Sequence, residues 1–319
     1  MKKLNAKDIE IYRSGTKSIL RAAHRRNIGI YKLFENERVF ILKKSGKVFW
    51  FRGPRTSISN PVSLWIIKDK HLTKEILEQI NFPYPKGYSV STVKEALVAA
   101  KKLGFPLVIK PRSYEGGMGV FLNVNSMAKV EDFFKSASKF DKDVLLEKQI
   151  EGKYYRITLV GHKIAGILET RGILLTGDGK STVETLVKDY NDIATKPFRL
   201  TKKTRDILLF QDLNPGSVPK KGKEFILGFS GSGGGDWIDR TDLICKTNKN
   251  LIEKLSKYLD LKVVSIDLIA KDIALPITSA KSPGSLLEIN GAPEFMYHLY
   301  PTEGKPRDIG EKIIQMLFD

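Results

Sequence analysis

Glu288 and Asn290 stand two residues apart in the run "SLLEING" (285–291), so on a strand both side chains leave from one face. Leu287 and Ile289 then point the other way, into a core. Upstream, Asp267 interrupts the otherwise apolar run "VVSIDLIA" (263–270). If the two strands pair, two carboxylates and an amide carbonyl converge. Such hard oxygen donors suit Mg²⁺, which keeps waters and bridges substrate phosphates. A pair of carboxylates satisfied by nearby lysines is the plainer reading, and spacing alone leaves both open.

Two glycine-bearing runs compete as phosphate sites. In Glu115-Gly116-Gly117-Met118-Gly119, three glycines in four positions let main-chain amides approach oxygen atoms closely. The run lies between two strands, so it reads as a hairpin tip that folds over phosphates, or as a plain glycine-rich hairpin. Lys110 leads into it from the apolar strand "FPLVIKP" (105–111), aimed at a fixed anion or at solvent. The other run, "TGDGKST" (176–182), ends like a phosphate loop of the form G-x-x-x-x-G-K-[ST]. Its first glycine would have to be residue 174, which is Leu174. Ser181 and Glu184 instead fit a capping box that starts a helix over "TVETLVKDY", with "GDG" as the turn into it. The run "VLLEKQIEG" (144–152) is either an ordinary strand end or an irregular exit whose backbone reads the edge of a purine.

These candidates need a scaffold, and the pattern supplies one. "RVFILKKSGKVFWFRG" (38–53) alternates around Ser45-Gly46, a hairpin signal. "YYRITLVGHKIAGILET" (154–170) reads as two strands joined at Gly161-His162. Helices are expected over 15–27, with Ile19, Leu20 and Ala23 on one side, over 68–82, ending before Pro83, and over 91–104, with Ser91 as N-cap. Others are expected near 127–139, 250–261 and 307–318, and 200–235 reads as a long polar loop or lid. Strand pairs alternating with helices give an α+β class with largely antiparallel sheets.

The chain has 319 residues, with 54 Lys+Arg against 36 Asp+Glu, a net +18. The excess favours anionic partners. It is spread along the chain, without the aromatic–basic interleaving of single-strand binders. Cys245 is the only cysteine, which rules out an intramolecular disulfide and a cysteine-rich zinc site. No secretory signal or membrane span is visible, so a cytoplasmic location is expected.

Taken in order, "IKDKHLTKEIL" (67–77), "VIKPRSYEGGMGV" (108–120), "LLEKQIEGKYYRITLVGHKIAG" (145–166), "TGDGKSTVETLV" (176–187), "VVSIDLIAKD" (263–272) and "LLEINGAPEFMYHLYPTEGKPRDIGEKI" (286–313) resemble the ATP-grasp superfamily. Within it they are most similar to the amide-ligase domain of cyanophycin synthetases, over about residues 15–317. The resemblance implies an ATP-grasp fold, two α+β subdomains clasping ATP. Residues 1–66 would be a truncated pre-grasp segment, 67–146 the small subdomain with the glycine flap, and 147–319 the large subdomain with the metal and substrate site.

The resemblance also implies roles. Lys70 and Lys110 would contact ATP phosphates under the 115–119 flap, and Glu147, Lys148 and Ile150 would hold adenine, the last two through their main chain. Asp267, Glu288 and Asn290 would hold Mg²⁺, usually two ions, and Arg156 would sit near the carboxylate being activated. The loop "SGSGGG" (230–235), with Ser230, Gly234 and Gly235, would line the acceptor site, and His298 could assist there. Four positions depart from the pattern: Tyr154 where an acidic residue serves the ribose, an added Asp236, a displaced Arg171, and Glu294 for a glycine. Three of them fall on the substrate side, so the product need not be cyanophycin.

The function expected is an ATP-dependent carboxylate–amine ligase that works through an acylphosphate and releases ADP. Its substrate would be an amino acid or acidic peptide, or a ribosomal peptide. The rivals are a silent ATP-binding regulator and, less favoured, a nucleic-acid binder. Homo-oligomer formation stays open.

Overall fold

Strands Val39–Lys44 and Lys47–Arg52 pair antiparallel with Lys44 opposite Lys47, which leaves Ser45 and Gly46 as a two-residue turn. Both have positive φ, 49° and 77°, the backbone that matches the twist of the flanking strands. Around this hairpin a five-stranded sheet forms in the order Lys2–Lys3, Gly29–Lys32, Val39–Lys44, Lys47–Arg52, Arg55–Thr56. The structure is a computed structural model that describes residues 1–12, 14–113, 119–193, 198–209, 211–228, 235–280 and 282–319. Two units are distinguished by their internal contacts. The first comprises Met1–Lys86, Ile150–Glu169 and Trp237–Asp319, and the second Gly87–Gln149 and Thr170–Asp236.

In the first unit, the helix expected at 15–27 runs Ser14–Arg25. Its Ile19, Leu20 and Ala23 are buried in one core with Ile313, Ile314 and Leu317 of the helix Ile309–Phe318. Gly310 permits that approach, because a Cβ there would overlap Ser18. Gly310→Ala is therefore expected to destabilise the protein by about 1–3 kcal/mol, the cost of overpacking, measurable by urea unfolding.

The second sheet has the order Asp236–Asp239, Lys163–Arg171, Lys153–Val160, Val263–Ala270, Gly284–Asn290. The expected turn joins its second and third strands, with Gly161 at φ 58° and His162 at φ 66°. Period-2 alternation sends Tyr155, Ile157, Leu159, Val264, Ile266 and Leu268 into one core, closed by Ile252 and Leu255 of the helix Lys246–Tyr258. The other face is left to Arg156, Thr158, Ser265 and Asp267.

One expectation fails at the edge strand. Asp267 lies opposite Glu288, but Leu268 lies opposite Leu286, so Leu287 is the extra residue of a β-bulge. Leu286, at 2% exposed, takes the core position assigned to Leu287, which is only half-buried.

In the second unit, a four-stranded antiparallel sheet runs Gly87–Val90, Val144–Lys148, Leu107–Pro111, Phe121–Val124. Helices Val93–Leu103 and Met127–Ala137 share its core through Ala96, Ala100, Val130 and Phe134. The first helix is capped by Thr92, not Ser91: Thr92 Oγ1 accepts the Glu95 N–H, and the Glu95 carboxylate accepts the N–H groups of Ser91 and Thr92. A two-stranded ladder, Ile173–Thr176 with Glu224–Gly228, completes the unit with helices Val183–Ile193 and Lys202–Leu209. The segment 200–235 is thus not simply a loop. Leu208, Phe225 and Leu227 are buried with Ile173, Val183 and Val187, apolar anchors outnumbered locally by polar residues. The class is α+β, as expected. No helix among the described residues is long and apolar enough to cross a membrane.

Candidate active site

Three neighbouring strands of the first unit put their polar residues in register. Arg156 lies opposite Asp267, and Asp267 opposite Glu288. One step along, Thr158 lies opposite Ser265, and Ser265 opposite Asn290. Arg156 donates from Nε and Nη2 to the two oxygens of Asp267, 2.9 Å each, and Asp267 is 3% exposed. Burial works against the Arg156 charge, but the hydrogen bonds and charge of Asp267 outweigh it and leave the pKa raised. Burial, and after it the Asp267 charge, pushes the Tyr154 phenol well above its usual value. At the position expected to be acidic, the chain thus places a neutral hydroxyl beside Asp267 and Arg156.

The donor chemistry of this row fits a hard divalent cation. Asp267, Glu288 and Asn290 occupy adjacent strands, two of them directly opposite one another. The Arg156 bonds do not exhaust Asp267, because a carboxylate has about four lone-pair sites. Asn290 Oδ1 accepts the Ala292 N–H at 2.9 Å, which orients the amide. Among the described residues, no three His, Cys, Asp or Glu side chains cluster as a metal cage. The row has only two carboxylates, and its third oxygen belongs to an amide.

Below the row lies a buried polar stack that the residue pattern did not reveal. His298 Nε2 is 2.9 Å from Thr158 Oγ1, which is 2.7 Å from Ser265 Oγ. His298, expected near substrate, is 0% exposed and belongs to this stack. Gly166 makes room for it, since a Cβ there would crowd the imidazole at 2.5 Å from Nδ1. Burial, reinforced by the Arg156 charge, lowers the His298 pKa to about 3. The native ring is therefore neutral, whereas the unfolded ring takes up a proton below its ordinary value of 6.5. This contribution to stability is intact above pH 6.5 and is lost as pH falls toward 3. The expected slope is about 1.4 kcal/mol per pH unit. Urea unfolding at pH 7, 6 and 5 should show it in the wild type and not in His298→Gln.

In the second unit, Lys110 ends its strand at 9% exposure with Nζ 2.6 Å from Glu147 Oε2, and Glu147 is 2% exposed. The ladder places Val108 opposite Glu147 and Leu145 opposite Lys110, so the two charges are diagonal neighbours. Lys148 turns its ammonium to the carbonyls of Phe105 (2.5 Å) and Gly104 (3.3 Å). Gly119 has φ +70°, and a Cβ on it would meet Pro111 and Phe140 at 2.9 Å. Gly235 has φ +100°, and a Cβ on it would overlap the Arg171 carbonyl. Glu115, Gly116, Gly117, Met118, Ser230 and Gly234 lie outside the described residues. In the first unit, Lys70 opens the helix Lys70–Gln79, capped by Asp69, and Ile150 is half-buried.

The run "TGDGKST" has no vacant phosphate nest. Asp178 Oδ1 accepts the N–H groups of Lys180 (2.8 Å) and Ser181 (2.7 Å), and Oδ2 accepts the Ser181 hydroxyl. These backbone bonds lower the Asp178 pKa to about 2. The capping box expected from Ser181 and Glu184 is also absent. Thr182 Oγ1 accepts the Thr185 N–H, and the Glu184 N–H goes to the Pro215 carbonyl.

Sequence reasoning missed Thr158, Ser265 and Gly166. For the two hydroxyls a signal existed, since each lies two residues from Arg156 or Asp267 on the same strand face.

A family model described as "Carbamoyl-phosphate synthase L chain, ATP binding domain" matches residues 69–159. Cyanophycin synthetase of Geminocystis herdmanii is 30% identical over 264 residues, 78% of this chain and 30% of that protein. The bifunctional glutathione biosynthesis protein of Desulfotalea psychrophila is 30% identical over 328 residues, 98% of this chain and 41% of that protein. The chain thus spans less than half the length of these relatives. The crystal structure of a bifunctional glutathione synthetase from Pasteurella multocida matches with TM-score 0.67 and 26% identity, over 98% of this chain and 44% of that one. D-alanine–D-alanine ligase from Bacillus anthracis shares the fold at TM-score 0.50 and 18% identity, over 81% of this chain and 68% of that one. A matching ATP-binding family model, these relatives and a fold shared along nearly the whole chain show that it belongs to the ATP-grasp superfamily.

Proposed function

We propose that the chain is an ATP-dependent carboxylate–amine ligase that acts on an amino acid or acidic peptide. The observation that carries this reading is the row Arg156–Asp267–Glu288, with Asn290 beside it, on adjacent strands of an ATP-grasp chain. Relatives named as cyanophycin synthetase, bifunctional glutathione biosynthesis protein and D-alanine–D-alanine ligase support it.

In this reading Lys70 and Lys110 bind the phosphates under the 115–119 segment, while Glu147 and the main chain at Lys148 and Ile150 hold the adenine. The Glu147 carboxylate keeps the Lys110 ammonium fixed at the end of its strand. Asp267, Glu288 and Asn290 would hold Mg²⁺, one ion or two, which when bound neutralises phosphate charge. Arg156, itself held by Asp267, presents a permanent positive charge to the substrate carboxylate. That carboxylate attacks the γ-phosphorus of ATP, and ADP leaves. An amine then attacks the acyl carbon, phosphate leaves, and an amide remains. Positioning and charge neutralisation suffice for such a transfer, without a nucleophilic side chain. Ser230, Gly234 and Gly235 would line the amine site. A cytoplasmic setting, where ATP is available, fits this reading.

The test is chromatographic. Mg·ATP incubated with a mixed pool of amino acids and acidic peptides should yield ADP, phosphate and an amide product in equal amounts, the last identified by mass. ADP without a new amide would reject the ligase reading.

A further inference from the structure

The stack beneath the acidic row takes no part in the reaction just described, yet it ends on that row. We propose that His298 is a positioning residue: through Thr158 it sets the Ser265 hydroxyl as a donor toward Asn290, and so holds the row in place for a divalent cation. The proposal rests on the reading of the row as a cation site.

Its basis is the geometry of groups with little or no solvent exposure. His298 and Thr158 are 0% exposed and Ser265 is 1% exposed. His298 Nδ1 has no hydrogen-bond partner among the described residues. An unused acceptor is a cheaper orphan than a buried N–H, so the ring proton belongs on Nε2. Nε2 then donates to Thr158 Oγ1, and Thr158 donates in turn to Ser265 Oγ, along contacts of 2.9 and 2.7 Å. The remaining Ser265 proton is left for a neighbour. The residue opposite Ser265 in the ladder is Asn290, at the separation of about 4.5–5.5 Å between Cβ atoms that lets cross-strand side chains meet.

Two further features single out the stack. Gly166 leaves the space that the imidazole occupies. A core built for stability alone would be served by apolar groups here, because buried polar groups stabilise little unless every member is satisfied. A chain with one orphaned end and one end on the acidic row is better explained by what it orients.

The test measures Mn²⁺ affinity by electron paramagnetic resonance, with a non-hydrolysable ATP analogue present, and needs no turnover. Thr158→Val is isosteric and breaks the chain in the middle. It and His298→Leu are each expected to weaken Mn²⁺ binding by about 10–100-fold, the usual effect of losing a partner of a metal ligand. The double variant should be no weaker than the worse single, and His298→Gln, which keeps an N–H near Nε2, should recover most of the affinity. Unfolding midpoints report whether each variant folds. If His298→Leu does not, Thr158→Val decides alone. Unchanged Mn²⁺ affinity in Thr158→Val, where Asp267→Asn abolishes binding, overturns the proposal, as do additive losses in the double variant. If the wild type itself shows no Asp267-dependent Mn²⁺ binding, the cation reading of the row fails, and this proposal with it.

Discussion

Asp267→Asn is expected to lower Mg·ATP-dependent ADP formation by about 10²–10³-fold, the usual effect of removing one preorganised electrostatic group from a site of charge transfer. Asp267 faces Arg156 on one neighbouring strand and Glu288 on the other, so one substitution disturbs both the anion receptor and the cation row. Asparagine keeps the shape and one acceptor for the guanidinium. Asp267→Ala should cost more stability, because Arg156 would be left buried without its carboxylate. Losing one partner of a buried pair costs about 3–5 kcal/mol. Steady-state ADP release and urea unfolding of both variants separate the two effects: asparagine should lose activity with little stability, alanine both.

Lys110→Met is expected to raise the KM for ATP and reduce turnover, together by about 10²-fold or more in kcat/KM, as for other cationic clamps on a transferring phosphoryl group. It also strands the Glu147 carboxylate at 2% exposure, again a cost of about 3–5 kcal/mol. Replacing both partners by apolar groups of similar volume is often neutral or better. The double variant Lys110→Met with Glu147→Leu should therefore regain most of the stability and none of the ATP use. Recovery of activity in the double variant would mean that Lys110 serves only to neutralise Glu147.

Strand patterns could be read locally, and whatever depended on them was legible. Two-residue spacing placed Glu288 and Asn290 on one face, and the polar interruption at Asp267 marked its partner strand. The bulge at Leu287 was not legible, because a one-residue register shift is decided by packing across the sheet. Thr92 displaced Ser91 as the cap because the reciprocal Glu95 bonds select it, a difference of one residue in a run where both neighbours are hydroxylic. The His298 contact spans 140 residues, and nothing local in either segment announces it. Asp178, which fills the nest that a phosphate would need, was visible as a residue but not as a ligand of Lys180 and Ser181.

The most direct measurement is ADP release from Mg·ATP, with the amide product weighed by mass spectrometry, in wild type and Asp267→Asn side by side. The account predicts one ADP per amide in the wild type and neither above background in the variant. Mg·ATP that binds both proteins equally, without ADP from any acceptor, would contradict it and identify a nucleotide-binding protein that does not turn over.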